Sequence, residues 1–212
     1  MPGTSHELCC AARELGIAAS VRPMVDLASG AASAAMARYA QGDDRAFSEV
    51  YDALAPRLCA YLRRRLGKVE TVEDVLQQTF LQMHLHRSRF AVGARVEPWA
   101  YAIARTLSID ALRREARRAT DVLDPGAADP AASDPLALAG AEQLGAALEA
   151  ELVSLSPVLR EAFILVRLEG LTHAEAAEVT GVEIATMKVR AHRASQSLRE
   201  RLLRYFSSTR VE

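Results

Sequence analysis

The chain has 212 residues and a mass of 23.0 kDa, enough for one domain of ordinary size or two small ones. Half of its residues are apolar and a quarter are charged, so it can build a packed core and is not wholly disordered. No stretch approaches about 18 uncharged apolar residues, which excludes a membrane span. Cys9, Cys10 and Cys59 show no C-x-x-C spacing, which argues against a disulfide framework or zinc knuckle and predicts a reducing cytoplasm.

The net charge becomes informative once it is divided by segment. Residues 1–40 are neutral, 41–119 carry +4, 120–150 carry −6 and 151–212 carry +1. Within the last segment, residues 184–210 hold seven basic side chains and one acidic one. Two basic lobes joined by an acidic strip indicate a protein that binds a polyanion.

The acidic segment also predicts how the chain divides. Residues 120–135 contain three prolines, one glycine and four aspartates, a composition typical of a flexible tether. No alternating strand pattern or hairpin turn is present, so the predicted class is all-α with two helical modules. The predicted parts are an N-terminal mobile extension (1–38, with Met24 and Met36 as candidate starts), a first module (39–119), an acidic linker (120–150) and a second module (151–207).

The first module reads as a bundle of helices. Residues 44–66 predict one or two helices, with a possible break before Pro56. Thr71 and Asp74 have the spacing of a capping box that would begin the next helix. Pro98 suits the first turn of the helix after the loop at 91–95. The predicted inward-facing residues are Phe47, Val50, Tyr51, Leu54 and Leu58, then Val72, Val75, Leu76, Phe80 and Met83, then Trp99, Ile103, Leu107 and Leu112.

The second module has the pattern of a helix-turn-helix. Ser156 and Pro157 predict an N-cap followed by proline at the first helical position, and this helix is expected to end near Gly170. Thr172 and Glu175 form a full capping box for a short helix. Gly181 then permits the positive φ of a tight turn before a long basic helix.

That final helix carries the stronger signal for DNA. Thr186, Arg190 and Arg193 share one face, and Lys188 and His192 flank it. The predicted inward stripe is Met187, Ala191, Ala194 and Leu198. Arginine and lysine can donate to guanine O6 and N7 or neutralise phosphates in the major groove. A solvated surface face is the alternative, and the helix-turn-helix spacing favours DNA.

A second basic cluster, Arg105, Arg113, Arg114, Arg117 and Arg118, lies beside the loop at residues 90–97. One module that grips duplex and another that holds separated strands would explain two unlike basic modules. Trp99 and Tyr101 could stack on unpaired bases, but a core position is the favoured interpretation, above all for Trp99.

Motifs in both modules resemble those of a known family. Residues 73–80 (EDVLQQTF), Phe90, 99–106 (WAYAIART) and 110–114 (DALRR) are similar to region two of bacterial sigma factors. Residues 155–157 (LSP), 160–161 (RE), 168–172 (LEGLT), 176–181 (AAEVTG), 185–188 (ATMK) and 190–193 (RAHR) are similar to region four. Two modules without an intervening region resemble the extracytoplasmic-function (ECF) subfamily of sigma-70-type factors, over about residues 39–119 and 151–205.

The resemblance implies the partners and the contact residues. The expected partners are core RNA polymerase, through its β′ clamp helices and β flap, promoter DNA and an anti-sigma factor. The helix at 72–87 would bind the clamp helices through Asp74, Gln77 and Gln78, while Phe80 is expected in the core. The loop at 90–97 would hold a base flipped out of the −10 element. The implied DNA contacts are Arg95, Arg105, Thr106, Arg113, Arg114 and Arg117 at −10, and Thr186, Lys188, Arg190 and Arg193 at −35.

Some positions depart from the family or remain outside it. Thr106 stands where the family often has Asn, which affects the expected −10 base preference. His6, Cys9 and Cys10 supply only three metal ligands, so no metal or other cofactor is expected. No Walker loop, G-x-S-x-G or H-E-x-x-H is present, and enzymatic activity and membrane insertion are not expected.

Two other functions fit part of the sequence. A helix-turn-helix repressor or activator with a helical sensor domain explains residues 151–205 but not the pattern at 73–118. A helical adaptor that binds only proteins would not need Arg190 and Arg193. The sigma-factor interpretation predicts that the chain binds promoters weakly until it joins the polymerase.

Overall fold

The computed structural model describes residues 22–121 and 140–208, and within these ranges all regular structure is helical. The chain divides into two compact units, with residues 22–121 in the first and 140–208 in the second. The predicted all-α class with two helical modules is confirmed.

Four helices form the first unit. They are α1 (Arg22–Ala40), α2 (Ala46–Leu66), α3 (Val69–Leu85) and α4 (Val96–Asp121), with a 3₁₀ turn at Arg87–Arg89 after α3. Helix α2 packs against the other three, so its buried residues form the centre of the unit. The two most buried leucines of that helix, Leu58 and Leu62, are inaccessible to solvent.

Helix α1 corrects the predicted N-terminal extension. Ala32, Ala35, Met36 and Tyr39 are buried in the first unit, so residues 30–38 belong to the fold and not to a mobile segment. Their spacing of three and four residues is that of an amphipathic helix. Two of the four are alanines in an alanine-rich segment, so the stripe contrasts weakly with its surroundings in the sequence. Residues 1–21, with the possible metal ligands His6, Cys9 and Cys10, lie outside the described residues.

Helix α2 is a single helix that continues through Pro56. It ends at Leu66 and is followed by Gly67, whose φ of +75° is open to glycine and strained for other residues. Lys68 then has extended geometry, and α3 begins at Val69. The predicted capping box of Thr71 and Asp74 is therefore wrong, because the turn between two packed helices sets the start of α3 and places Thr71 inside its first turn.

The buried face of α4 differs from the prediction. Pro98 lies in the first turn as expected, where Val96 and Glu97 are buried. Beyond that turn, the buried residues are small ones and a tyrosine: Ala100, Tyr101, Ala104, Ser108 and Ala111. Trp99, Ile103 and Leu107 are half-buried at the flanks, and Leu112 is exposed. Because small side chains make up most of this face, hydrophobic size alone does not reveal it. Tyr101 packs edge-on to Tyr61 with ring centroids 5.3 Å apart.

The second unit contains four helices and a π-helical turn. They are α5 (Gly140–Ser154), α6 (Pro157–Phe163), the π turn (Ile164–Leu168), α7 (His173–Thr180) and α8 (Ile184–Ser208). Ser156 occupies the predicted N-cap position before Pro157 at the start of α6, but its side chain makes no capping hydrogen bond. Gly170 has a φ of +69° just after the π turn, which agrees with its predicted role near the end of this segment.

Helix α5 corrects the C-terminal end of the predicted linker. Ala147 is buried, and Leu148 packs on a cluster of Leu152, Leu155, Ala194 and Leu198. Residues 145–150 therefore belong to the second unit, because their apolar spacing continues the stripe of Leu152. Residues 122–139, which carry most of the predicted tether, lie outside the described residues.

Candidate nucleic-acid interface

The helix-turn-helix of the second unit forms as predicted. Thr172 Oγ1 accepts a hydrogen bond from the backbone N–H of Glu175 at 3.2 Å, and the Thr172 N–H donates to Glu175 Oε2 at 2.7 Å. This capping box satisfies backbone donors at the start of α7. The turn follows at Gly181, whose φ of +70° is left-handed, and the N–H of Val182 donates to the carbonyl of Ala177 at 3.0 Å.

Helix α8 presents one face to the core and the opposite one to solvent. The predicted stripe of Met187, Ala191, Ala194 and Leu198 is buried at 2% exposure or less. Lys188 and Arg193 are exposed, whereas Thr186 and Arg190 are half-buried at the edge between the two faces. The four candidate −35 residues thus divide into two that stand clear of the core and two at its margin.

Two residues on the exposed face of α8 escaped the sequence analysis. Ala185 and Val189 are exposed and lie one helical turn apart, opposite the buried stripe. The signal that identifies them is the helical periodicity itself. Both are apolar, so a pattern of charged side chains does not reveal them.

Helix α4 carries the candidate −10 residues of the first unit. Thr106, Arg113 and Arg117 are exposed and share one face of the helix, since they are seven and four residues apart. Arg114 is exposed beside them, and its Nε donates to the carbonyl of Asp110 at 3.3 Å. Arg105 is half-buried on a neighbouring face, so the structure does not bring it into this stripe.

The loop before α4 is anchored at both ends and exposed at its tip. Phe90 is buried, with its ring centroid 5.7 Å from that of Trp99. At the other end, the N–H of Val96 donates to Ser33 Oγ of α1 at 3.1 Å. Residues 91–94 are exposed between these anchors, and Gly93 has a φ of +88°. Trp99 therefore supports the loop from a half-buried position.

A groove of about 680 Å³ lies between this loop and α1. Its lining comes from both elements: Gly30, Ser33, Ala34, Ala37, Val92, Gly93, Ala94 and Arg95. The sequence does not predict the contribution of α1, because these residues fall in the segment predicted to be a mobile extension. Arg95 at the rim has its Nε 3.7 Å from Glu97 Oε2.

The candidate polymerase-binding residues share one exposed face of α3. Asp74, Gln77 and Gln78 are all exposed, and Leu81 and Leu85 continue the same face at 45% and 59% exposure. Phe80 points inward and is buried, as expected, with its ring 4.7 Å from that of Tyr51. The two leucines were not among the predicted contacts, although their helical spacing from Asp74 and Gln78 places them there.

Other kinds of site are not found in the described part of the chain. Cys59 is half-buried and free. Among residues 22–121 and 140–208, no group of three histidine, cysteine or acidic side chains is placed to hold a metal. Within the same ranges, no helix is long and apolar enough to cross a membrane.

Comparison with known proteins matches both units to one family. The Sigma-70 region 2 model matches residues 50–118, and the Sigma-70, region 4 model matches residues 145–198. Together they cover more than half of the chain, in the order that the sequence analysis predicts. A helix-turn-helix regulator that is not a polymerase subunit leaves the region 2 match unexplained and is not favoured.

Individual relatives belong to the same family. The chain is 37% identical over 178 residues to the ECF RNA polymerase sigma factor SigF of Caulobacter vibrioides, covering 81% of this chain and 93% of that protein. It is 33% identical over 171 residues to the RNA polymerase sigma factor CarQ of Myxococcus xanthus, covering 79% and 95%. Sigma factors are not themselves enzymes.

Solved structures show the same fold. The sigma factor RpoE from Bartonella quintana, solved with the anti-sigma factor NepR, is 27% identical with a TM-score of 0.59, over 74% of this chain and 96% of that one. CnrH, solved with the cytosolic domain of CnrY, has a TM-score of 0.59 at 23% identity, over 81% and 97%. The chain belongs to the ECF RNA polymerase sigma factors, which bind core RNA polymerase, recognise −10 and −35 promoter elements and promote promoter melting at the start of transcription.

Proposed function

We propose that the two units divide promoter recognition, and that the second unit reads the −35 element as duplex through α8. Lys188 and Arg193 would make the central contacts, with Thr186 and Arg190 reaching phosphates or base edges from the margin. The second helix of a helix-turn-helix enters the major groove with its N-terminal part against the bases. The exposed cations on the first three turns of α8, opposite a fully buried stripe, support this assignment.

The first unit would hold the −10 element as its strands separate. Thr106, Arg113, Arg114 and Arg117 form a straight polar and basic path along α4, suited to a single-strand backbone. Arg105 would contribute from the neighbouring face. The groove between α1 and the loop, with Arg95 at its rim, would accept a base that has left the stack, so that contacts made by unpaired bases offset the cost of melting.

The exposed face of α3 would bind the β′ clamp helices of core RNA polymerase. Asp74, Gln77 and Gln78 supply polar contacts, while Leu81 and Leu85 supply an apolar centre, the usual composition of a protein interface. The second unit would contact the β flap. The polymerase then performs all covalent chemistry, and the factor acts in the cytoplasm without enzymatic activity of its own.

Regulation by an anti-sigma factor follows from the same surfaces. RpoE of Bartonella quintana was solved with such a partner, and we propose that a protein of this kind covers the α3 face of this chain. A photoreactive amino acid at position 81 tests the idea in cells. It should cross-link to β′ when the sigma factor is active and to a second protein when it is inactive. Cross-links to β′ alone under every growth condition would contradict the proposed regulation.

The observation that carries the proposal is the pair of exposed basic helices, one in each matched region. In vitro transcription with purified core polymerase over a random promoter library tests it. Wild-type chain should direct initiation to promoters with a shared −35 element. Arg190→Ala with Arg193→Ala should abolish that preference, whereas Arg45→Ala with Arg63→Ala removes the same charge from exposed positions of the first unit and should preserve it.

A gel shift and the same double variant separate the alternatives. A conventional regulator would bind its duplex tightly without polymerase in a gel shift at moderate salt. A protein adaptor would keep its activity when Arg190 and Arg193 are both replaced. Either result would overturn the proposed division of labour.

A further inference from the structure

Val189 lies at the centre of the solvent-facing side of α8. Its side chain is 49% exposed, while Met187 and Ala191 on the opposite side are buried at 1% and 0%. Successive residues of an α-helix are 100° apart, which places Val189 almost directly opposite the buried stripe. Ala185, one turn earlier, is exposed on the same line, so Val189 is the larger apolar group there.

Basic side chains frame this valine. Lys188 and His192 are exposed on one side of it, and Arg193 is exposed on the other. This is the part of α8 that the proposed function places in the major groove, and the inference rests on that function. Phosphates or guanine edges engaged by the flanking cations would bring the floor of the groove against Val189.

The fold gives no reason for a valine at this position. A β-branched side chain loses rotamer freedom in a helix and is a weaker helix former than alanine or lysine. An exposed apolar residue is ordinary by itself. What distinguishes Val189 is its place at the midpoint of the face that carries the DNA-binding cations.

The chemistry of the major groove then selects one base. Each base pair presents hydrogen-bonding groups there, and only thymine presents an apolar group, the C5-methyl. We propose that Val189 is a specificity-determining residue that contacts the C5-methyl of one thymine in the −35 element. A side chain that offers only hydroxyl or amide groups would not distinguish thymine from the same base without its C5-methyl.

Deoxyuridine provides a test, because it differs from thymidine by that methyl alone. Holoenzyme is assembled from core polymerase and the full chain, and its preferred −35 element is selected from a random library. Each thymine of the element is then replaced singly by deoxyuridine, and holoenzyme affinity is measured. For the wild-type chain, one replacement should weaken binding about fourfold, the effect of one buried methyl.

The variants decide whether Val189 is responsible. Val189→Ala should bind the thymine and uracil forms of that site equally. Val158→Ala should keep the wild-type difference, since Val158 is a valine of equal exposure, 49%, on α6. An element without a methyl-sensitive thymine, or a difference that survives in Val189→Ala, would overturn the inference.

Three outcomes separate a failure of this inference from a failure of the proposed function. If Val189→Ala weakens binding equally at every −35 sequence, the valine contacts protein or backbone, and the inference is wrong. If the wild-type chain assembles no active holoenzyme, the proposed function fails before the methyl is tested. If holoenzyme initiates transcription but no deoxyuridine replacement weakens its binding, the inference is wrong and the proposed function stands.

Discussion

Nη1 of Arg57 on α2 lies 3.4 Å from Oε1 of Glu97 in the first turn of α4, and the two side chains are 6% and 0% exposed. The other carboxylate oxygen of Glu97 lies 3.7 Å from Nε of Arg95. One buried carboxylate therefore joins the central helix of the first unit to the end of the loop that borders the groove. The tip of the loop is exposed, whereas its C-terminal end is anchored by the ion pairs of Glu97.

Replacing Glu97 with glutamine should destabilise the first unit. Glutamine keeps the shape but removes the negative charge that lies 3.4 Å from the buried Arg57 guanidinium, and breaking a buried ion pair costs about 3 kcal/mol. Urea unfolding followed by the fluorescence of Trp99, the one tryptophan in the chain, reports on this unit directly. Asp110→Asn removes an exposed partner of Arg113 and should leave the midpoint unchanged. Equal midpoints for wild type and Glu97→Gln would show that the pair adds nothing.

Replacing Leu81 with glutamine should weaken binding to core polymerase without affecting folding. The side chain is 45% exposed, so its loss removes little from the core, whereas an apolar centre usually carries much of an interface's binding energy. We expect at least a tenfold loss of affinity for core enzyme and an unchanged melting temperature. Asp52→Asn, at an exposed position on α2, is the control. Wild-type affinity in the Leu81 variant would place the interface elsewhere.

Replacing Gly181 with alanine should loosen α7. The φ of +70° costs an alanine about 1 kcal/mol, and an added Cβ would meet no atom within 4 Å, so the backbone strain is the whole effect. Amide hydrogen exchange across residues 173–180 should speed up several-fold, and less in Gly181→Asn, because asparagine tolerates this conformation better. Gly30→Ala, at a glycine without positive φ, should leave this exchange unchanged. Faster exchange in asparagine than in alanine would contradict the explanation.

Replacing Thr106 with asparagine should change the preferred −10 base. Thr106 is exposed on the basic stripe of α4, and its hydroxyl donates to the carbonyl of Ala102 at 2.9 Å. Asparagine instead offers an amide that both donates and accepts hydrogen bonds. Transcription from a library randomised at −10 should show a shifted preference with asparagine and an unchanged one with Thr106→Ser. An identical preference in all three proteins would remove Thr106 from base recognition.

Sequence reasoning was most successful where a local rule decides the structure. The capping box of Thr172 and Glu175, the left-handed turn at Gly181 and the buried stripe from Met187 to Leu198 all depend on residues close in the chain, and all three are confirmed. It was wrong at Thr71, where a packed turn overrides a local cap, and at Leu112, where small residues occupy the buried face. The contact residues proposed for DNA and polymerase stay predictions.

The sequence by itself determined the all-helical class, the two modules and their family, because helical periodicity, caps and motif residues are local properties of the chain. Only the tertiary structure assigned α1 and the end of the acidic segment to the folded units. It also paired Arg57 with Glu97 across 40 positions and separated Lys188 and Val189 at the surface from Arg190 at the margin. These features depend on which surfaces exclude water when helices pack, and that is settled between elements distant in the chain.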